Sequence, residues 1–168
     1  NLPEGIRMEL IDGVLYDMAS PTNIHQMIVT QVSARIGAVL DEVCGDCDLF
    51  VAPLDVQLSE SYDKDCFVPD LFIVCDKRKY NDKGYIVGAP DMVMEVISPS
   101  SRSRDRVLKL NKYMDSGVRE YWIVDPKNEK TLVYFFDKSE FPNIYTFDTP
   151  IPVGIFEERL AVRIADLL

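Results

Sequence analysis

Long apolar runs, internal repeats and low-complexity tracts are all missing from this sequence. No stretch approaches the roughly 18–20 apolar residues of a membrane span, and no secretory signal is recognisable. Of the 168 residues, 47% are hydrophobic and 27% are charged, which is the profile of a globular protein. These features exclude collagen-like, coiled-coil, disordered and membrane-spanning chains. We expect one domain over residues 1–168, located in the cytoplasm and without membrane contact.

Positive charge is scarce, with 18 Lys and Arg residues against 28 Asp and Glu residues and a net charge of −10. This balance argues against a protein that coats nucleic acid through its bulk charge. Basic residues are nevertheless concentrated in residues 77–112, where the net charge is +5, whereas the rest of the chain carries −15. Such a stretch can contact a phosphate backbone, although a solvated charged surface is the simpler interpretation.

The four cysteines suggest no obvious pattern beyond one C-x-x-C motif, Cys44 to Cys47. A zinc ribbon needs a second close pair, and Cys66 and Cys75 are too far apart to supply it. A redox motif of the thioredoxin type should begin a helix, whereas this pair ends a helical pattern. We therefore expect reduced thiols, with Cys75 in the core and a zinc site as the minor alternative.

Apolar periodicity predicts alternating strands and helices. The predicted elements are a hairpin over 7–19 with the turn Asp12-Gly13, a helix from Ser20-Pro21 to about residue 43, a strand over 49–58 interrupted at Pro53, buried strands at 68–75, 91–98 and 119–125, a helix over 102–116, and strands at 131–136 and 143–147. The strands 91–98 and 119–125 flank a helix and should pair in parallel. We predict an α/β (α+β) fold with a central mixed β-sheet flanked by helices.

One carboxylate, Glu95, lies in the middle of an apolar strand. An ionised carboxylate buried there needs a metal ion, a base or a hydrogen-bond donor beside it. Asp70, at the head of the strand 68–75, would complete a two-carboxylate site for a hard divalent cation. The structural alternatives are a salt bridge or a solvent-facing position for Glu95 and an ordinary first strand residue for Asp70.

Helical spacing places Asp105, Lys109 and Tyr113 on one face of the helix 102–116. The side expected to pack against the core carries the apolar residues Val107, Leu110 and Met114. Lys109 could lower the pKa of an attacking water or offset charge on a phosphate during cleavage. Its structural alternative is an ion pair with Asp105.

Several of these residues fall in motifs that resemble a known family. The motifs are Val68-Pro69-Asp70, Pro90-Asp91-x-x-x-Glu95-Val96-x-Ser98-Pro99, Asp105-x-x-x-Lys109-x-x-x-Tyr113 and Gly117-Val118-x-Glu120-Tyr121-Trp122-x-Val124-Asp125-Pro126, together with Glu9-Leu10-Ile11-Asp12-Gly13 and the segment Pro21–His25. In this order, over nearly the whole chain, they resemble the Uma-type restriction endonuclease family, formerly catalogued as a domain of unknown function, of the PD-(D/E)XK nuclease superfamily. The resemblance implies a restriction-endonuclease-like core.

The same resemblance implies a Mg²⁺-dependent endonuclease that hydrolyses DNA phosphodiester bonds, with Mn²⁺ as a substitute and with Asp70 and Glu95 as metal ligands. The superfamily pattern places a lysine two residues after the second acid, where this sequence has Ile97. The following helix would supply the lysine instead. Lys109 is the expected residue, with Lys112 as the fallback.

Glu9 and His25 are further candidate catalytic residues. Their structural alternatives are a surface hairpin acid and a packed or capping histidine. The basic segments 77–83 and 102–112 are expected to flank the site and hold DNA, and cleavage of a duplex suggests a homodimer. The alternative functions are an inactive nuclease-fold module that binds DNA or protein, and a phosphodiesterase acting on RNA or small nucleotides.

Overall fold

The computed structural model describes residues 7–58, 65–98, 104–139, 141–157 and 159–168, and its centre is a six-stranded sheet. In spatial order the strands are β10 (Asn143–Thr146), β9 (Lys130–Phe135), β8 (Glu120–Asp125), β7 (Met92–Val96), β5 (Leu71–Val74) and β3 (Asp48–Val51). The neighbours β7 and β8 are parallel, and the other neighbouring strands of this sheet are antiparallel. The predicted central mixed sheet, with its one parallel βαβ pair, is confirmed.

Smaller sheets and helices surround the central sheet. The two-stranded sheets pair β1 (Met8–Ile11) with β2 (Val14–Asp17), β4 (Val56–Gln57) with β6 (Ile86–Val87), and β11 (Ile151–Pro152) with β12 (Ala161–Val162). The α-helices are α1 (Asn23–Gly37), α2 (Leu40–Val43) and α3 (Leu110–Ser116), which continues a π-helical segment, Arg104–Lys109; 3-10 turns lie at Lys77–Lys79, Gly154–Phe156 and Ile164–Leu167. Among the described helices, none combines the length and the apolar character that crossing a bilayer requires.

The central sheet is buried on both faces, as its nearly continuous apolar strands predict. On one face, α1 packs on the sheet through its buried side chains Ile28, Val29, Val32 and Ile36. On the other face, the ring of Tyr113 lies 5.3 Å from that of Phe67 and 4.9 Å from that of Tyr121. Because side chains alternate along β7, Glu95 projects toward this second face and lies in the interior.

The predicted helix from Ser20-Pro21 to about residue 43 is divided in two. Thr22 caps its start by accepting a hydrogen bond from the backbone N–H of His25. The first helix ends at Gly37, and Val39, with φ −123° and ψ 2°, separates it from α2. Apolar spacing alone could not reveal this break, because both helices bury side chains in the same cluster.

The predicted helix over 102–116 is described from its third residue onward, and the first six described residues are π-helical. Its predicted packing side is wrong for Val107 and Met114, whereas Leu110 is partly buried and packs against the core as predicted. Val107 and Met114 are 54% and 40% exposed, whereas Lys109 and Tyr113 are buried. The reason is that Lys109 is compensated by carboxylates from other elements, and helical periodicity contains no information about such tertiary partners.

Gly154 is a position at which the fold leaves no room for a side chain. A Cβ at this position would lie 2.4 Å from a ring carbon of Phe135 and 3.3 Å from Oε2 of Glu120. We expect Gly154→Ala to lower the free energy of unfolding by about 1–3 kcal/mol in urea denaturation, because the packed ring must move.

Gly37→Ala is the matched control, since a Cβ there meets nothing within 4 Å at the end of α1. Its free energy of unfolding should stay unchanged or rise by up to about 1 kcal/mol. Equal losses in the two variants would contradict the proposed close packing at Gly154.

Candidate active site

The β1–β2 hairpin carries Glu9 into the interior. Its turn residues, Asp12 and Gly13, have positive φ values of 52° and 77°, as a two-residue hairpin turn requires. Glu9 is only 1% exposed, and its Oε1 accepts a hydrogen bond of 3.1 Å from the backbone N–H of Val68. The interpretation of Glu9 as a surface hairpin acid is therefore wrong.

A buried ammonium joins Glu9 to Glu95. The Nζ atom of Lys109 lies 2.8 Å from Oε1 of Glu9 and 2.7 Å from Oε1 of Glu95. Both Lys109 and Glu95 are less than 5% exposed. Ion pairs this deeply buried need several polar contacts to offset the loss of hydration, and Lys109 supplies one to each carboxylate.

Tyr113 provides a further donor to the same carboxylate oxygen. Its hydroxyl lies 2.9 Å from Oε1 of Glu95. Burial, followed by the nearby negative charge of Glu95, raises the pKa of Tyr113 well above its usual range. The hydroxyl therefore stays protonated and donates, one helical turn from Lys109.

Strand pairing brings Asp70 beside Glu95. Leu71 of β5 pairs with Met94 of β7 in an antiparallel register, so the preceding residue, Asp70, lies next to Glu95 along the strand edge. Oδ2 of Asp70 accepts a hydrogen bond of 2.8 Å from the backbone N–H of Val96.

His25, in the first turn of α1, reaches the same carboxylate. Its Nε2 lies 3.0 Å from Oδ2 of Asp70, and the two side chains are 15% and 16% exposed. The described side-chain contacts of Asp70 all use Oδ2, so Oδ1 is available to a ligand within the described part of the chain. All five candidate catalytic residues of the sequence analysis thus lie around one site.

A cleft of about 610 Å³ opens onto these groups. Its lining includes the five candidate residues, Glu9, His25, Asp70, Glu95 and Lys109. Two exposed cations, Arg7 and Lys127, also line it, and Asp17 adds an acidic group. Arg7 and Lys127 are not among the residues predicted from the sequence, because their positions depend on where the hairpin and the turn after β8 meet the cleft. The parallel pairing of β7 and β8 could have pointed to Lys127, because it brings the residues that follow the two strands to the same edge of the sheet.

The fallback lysine, Lys112, lies outside this arrangement. Its ammonium contacts the carboxylate of Asp12 at the hairpin turn and lies 3.2 Å from Oδ2 of Asp65. The structure therefore places Lys109, rather than Lys112, against Glu95.

The expectation that residues 77–83 flank the site is wrong. This segment follows β5, whereas Asp70 precedes it, which puts roughly 16 Å of extended chain between Asp70 and the far end of the strand. Lys77 and Arg78 contact acidic side chains of their own neighbourhood. Of the two basic segments, the one that includes Lys109 lies at the cleft.

The donor set suits a hard cation. Carboxylate oxygens are the ligands that Mg²⁺ and Mn²⁺ prefer, and Mg²⁺ is commonly held by one or two carboxylates with several waters. Within the described residues, no three of the acidic and histidine side chains bring their ligand atoms within 4.8 Å of one another. The site thus fits a two-carboxylate arrangement, with Asp70 and Glu95 as the adjacent pair.

Some of the known proteins that are similar to this chain are described as nucleases. Residues 1–157 match the sequence model of the Uma2 family, described as "Putative restriction endonuclease". Over 127 residues, the chain is 28% identical to the uncharacterized protein slr1290 of Synechocystis sp.. That match covers 75% of this chain and 64% of the relative, so the chain spans less than two thirds of its length.

A solved structure shares the fold. A crystal structure described as "a putative nuclease belonging to DUF820" from Anabaena variabilis matches with a TM-score of 0.79 and 22% identity, covering 99% of this chain and 92% of that chain. At this identity the likeness concerns the fold, and it confirms the predicted fold class.

The buried ammonium should be essential to stability, unlike its neighbour on the same helix. We expect Lys109→Met to lower the free energy of unfolding by about 3–5 kcal/mol, because it removes the cation that two buried carboxylates contact. Lys112→Met is the matched control and should cost less than about 1 kcal/mol, since its ion pairs are partly exposed. Urea denaturation of the two variants measures both losses, and similar values would show that the Lys109 contacts contribute little.

Proposed function

Because this chain belongs to the Uma2 family of restriction-endonuclease-like proteins, we propose that its cleft hydrolyses DNA phosphodiester bonds with the help of Mg²⁺. One observation carries the proposal. Lys109 is held between two carboxylates, beside Asp70, in a cleft large enough to receive a nucleotide. A carboxylate pair that binds a cation and an ammonium that faces a phosphate can together catalyse phosphodiester hydrolysis.

Asp70 and Glu95 would hold the ion, with Mn²⁺ as a substitute for Mg²⁺. When bound, such an ion polarises a phosphate oxygen and makes a coordinated water more acidic. Asp70 is suited to this role because Oδ2 is fixed by two hydrogen bonds while Oδ1 remains available among the described contacts. Two adjacent strands fix the separation of the carboxylates more firmly than loops would.

Lys109 would position the attacking water and stabilise the negative charge that develops on the phosphate. Glu9 acts through Lys109, because its carboxylate holds the ammonium from the hairpin side. His25 acts through Asp70, since its Nε2 contacts the oxygen that Val96 also fixes. We assign Glu9 and His25 as positioning residues.

The exposed cations at the cleft would contact the phosphate backbone of the substrate. Arg7 and Lys127 come from distant parts of the sequence and line the same opening. Cationic side chains supply most of the sequence-independent attraction of a protein to DNA. Since both strands of a duplex must be cut, we propose that two copies act together as a homodimer.

A non-enzymatic DNA- or protein-binding module is the second candidate. The observation that favours it is that the Lys109 ammonium already compensates Glu9 and Glu95 within the protein. The net charge of −10 favours the related possibility of a smaller nucleic-acid substrate, such as RNA or a nucleotide.

A plasmid-nicking assay with Mg²⁺ or Mn²⁺ tests the proposal. We expect Glu95→Gln and Asp70→Asn each to lower the nicking rate by at least about 100-fold, because each removes a charged ligand oxygen from the site. Calorimetric titration of the same variants with Mn²⁺ should show the loss of metal binding, and circular dichroism should show an unchanged fold.

Asp91→Asn is the matched control. Asp91 precedes the same strand β7 as Glu95, is partly buried, and lies at the far end, where its Oδ2 accepts a hydrogen bond of 2.8 Å from the N–H of Cys75. This variant should nick like the wild type. If the wild type binds no metal and cuts neither DNA nor RNA, the binding module is the correct function.

A further inference from the structure

Three of the four cysteines come together at the end of the sheet remote from the candidate active site. Cys44 follows α2, Cys47 precedes β3 and Cys75 follows β5. Their sulfur atoms all lie within 4.8 Å of one another, and the sulfur of Cys47 lies within bonding distance of both others. Cys75 lies 28 residues after Cys47, so it is not part of the C-x-x-C motif formed by Cys44 and Cys47.

The fold dictates this convergence. Asp48 of β3 pairs with Val74 of β5, so the next positions outward along the antiparallel ladder are Cys47 and Cys75, with Cα atoms 3.9 Å apart. The third thiol is supplied by a turn in which the N–H of Cys47 donates to the carbonyl of Cys44 at 3.2 Å. Two strands and a hydrogen-bonded turn therefore bring the three cysteines together.

We propose that Cys44, Cys47 and Cys75 form a three-thiolate site for a thiophilic divalent metal ion, Zn²⁺. Three protein ligands with a water or external ligand in the fourth position are an established tetrahedral arrangement for zinc. A sulfur atom forms only one disulfide bond, so a disulfide would use two of these cysteines and a metal ion would use all three. Binding releases the thiol protons to solvent and changes no oxidation state.

The charge around the cluster also favours a cation. Residues 41–48 contain four acidic residues, Asp41, Glu42, Asp46 and Asp48, and no lysine or arginine. Of the basic residues that follow Cys75, Lys77 contacts Asp48 and so compensates one of them, while Arg78 and Lys79 contact Asp76 and Asp91. The remaining negative charge would raise the local concentration of a divalent cation.

Cobalt substitution tests the site directly. The reduced, metal-free protein is titrated with Co²⁺, whose charge-transfer bands in the near ultraviolet report bonds to thiolate and not to carboxylate oxygens. We expect one equivalent to saturate these bands and Zn²⁺ to abolish them. Because the readout is specific for thiolate, it is independent of any metal bound at Asp70 and Glu95.

Single Cys→Ser variants identify the ligands. Cys44→Ser and Cys75→Ser should each weaken Co²⁺ binding by at least roughly tenfold. Replacing a residue that only supports a metal ligand already lowers metal affinity by about this factor, and loss of a ligand should cost at least as much. Cys66→Ser is the matched control and should bind like the wild type, since Cys66 lies outside the cluster. Equal binding in all three variants, or none in the wild type, would overturn the proposal.

A measurement on the unaltered chain covers the case in which a variant fails to fold. Alkylation followed by peptide mass mapping should show that Zn²⁺ protects Cys44, Cys47 and Cys75 together. Burial, followed by the negative charges of Asp55 and Glu9, raises the pKa of Cys66 to about 11, so this thiol should react slowly with or without Zn²⁺. A disulfide within the cluster that persists in protein purified under reducing conditions, with no protection by Zn²⁺, would overturn the proposal in favour of a disulfide.

Discussion

The buried ammonium of Lys109 connects elements that are distant in the sequence. It contacts Glu9 of the hairpin and Glu95 of the central strand β7 from a third element, the helical segment that leads into α3. Two carboxylates and one ammonium leave a net negative charge inside the protein, and charges in such surroundings persist only when further groups compensate them. Tyr113 contributes one such contact, and the proposed cation beside Asp70 would contribute another.

The arrangement of strands explains why the carboxylates meet. Asp70 immediately precedes β5, and Glu95 lies in the neighbouring antiparallel strand β7. The register of these two strands places the two residues side by side. The same strand β5 carries Asp70 before its first residue and Cys75 after its last. The length of β5 therefore separates two chemically different clusters, the carboxylates around Asp70 and the thiols around Cys75.

Much of this architecture could be predicted from the sequence. A glutamate inside a continuous apolar strand requires a partner, and this single conflict between burial and charge pointed to Glu95 before any tertiary information. The parallel pairing of β7 and β8 followed from a strand–helix–strand order. The burial of Lys109 and the exposure of Val107 could not be predicted, because they depend on groups contributed by other elements. The thiol cluster was missed for a related reason, since strand register, and not sequence spacing, brings Cys75 to Cys47.

The Lys109 contacts also restrict the order in which related chains can lose these residues in evolution. If Glu9 is replaced first, Lys109 still faces Glu95, and the remaining pair is electrically neutral. If Lys109 is replaced first, two carboxylates remain buried without their shared cation, which is the more costly intermediate. The effect of one substitution thus depends on which has already occurred. Descendants that retain the fold but have abandoned the site are therefore expected to have passed through chains that lack a glutamate and still keep the lysine.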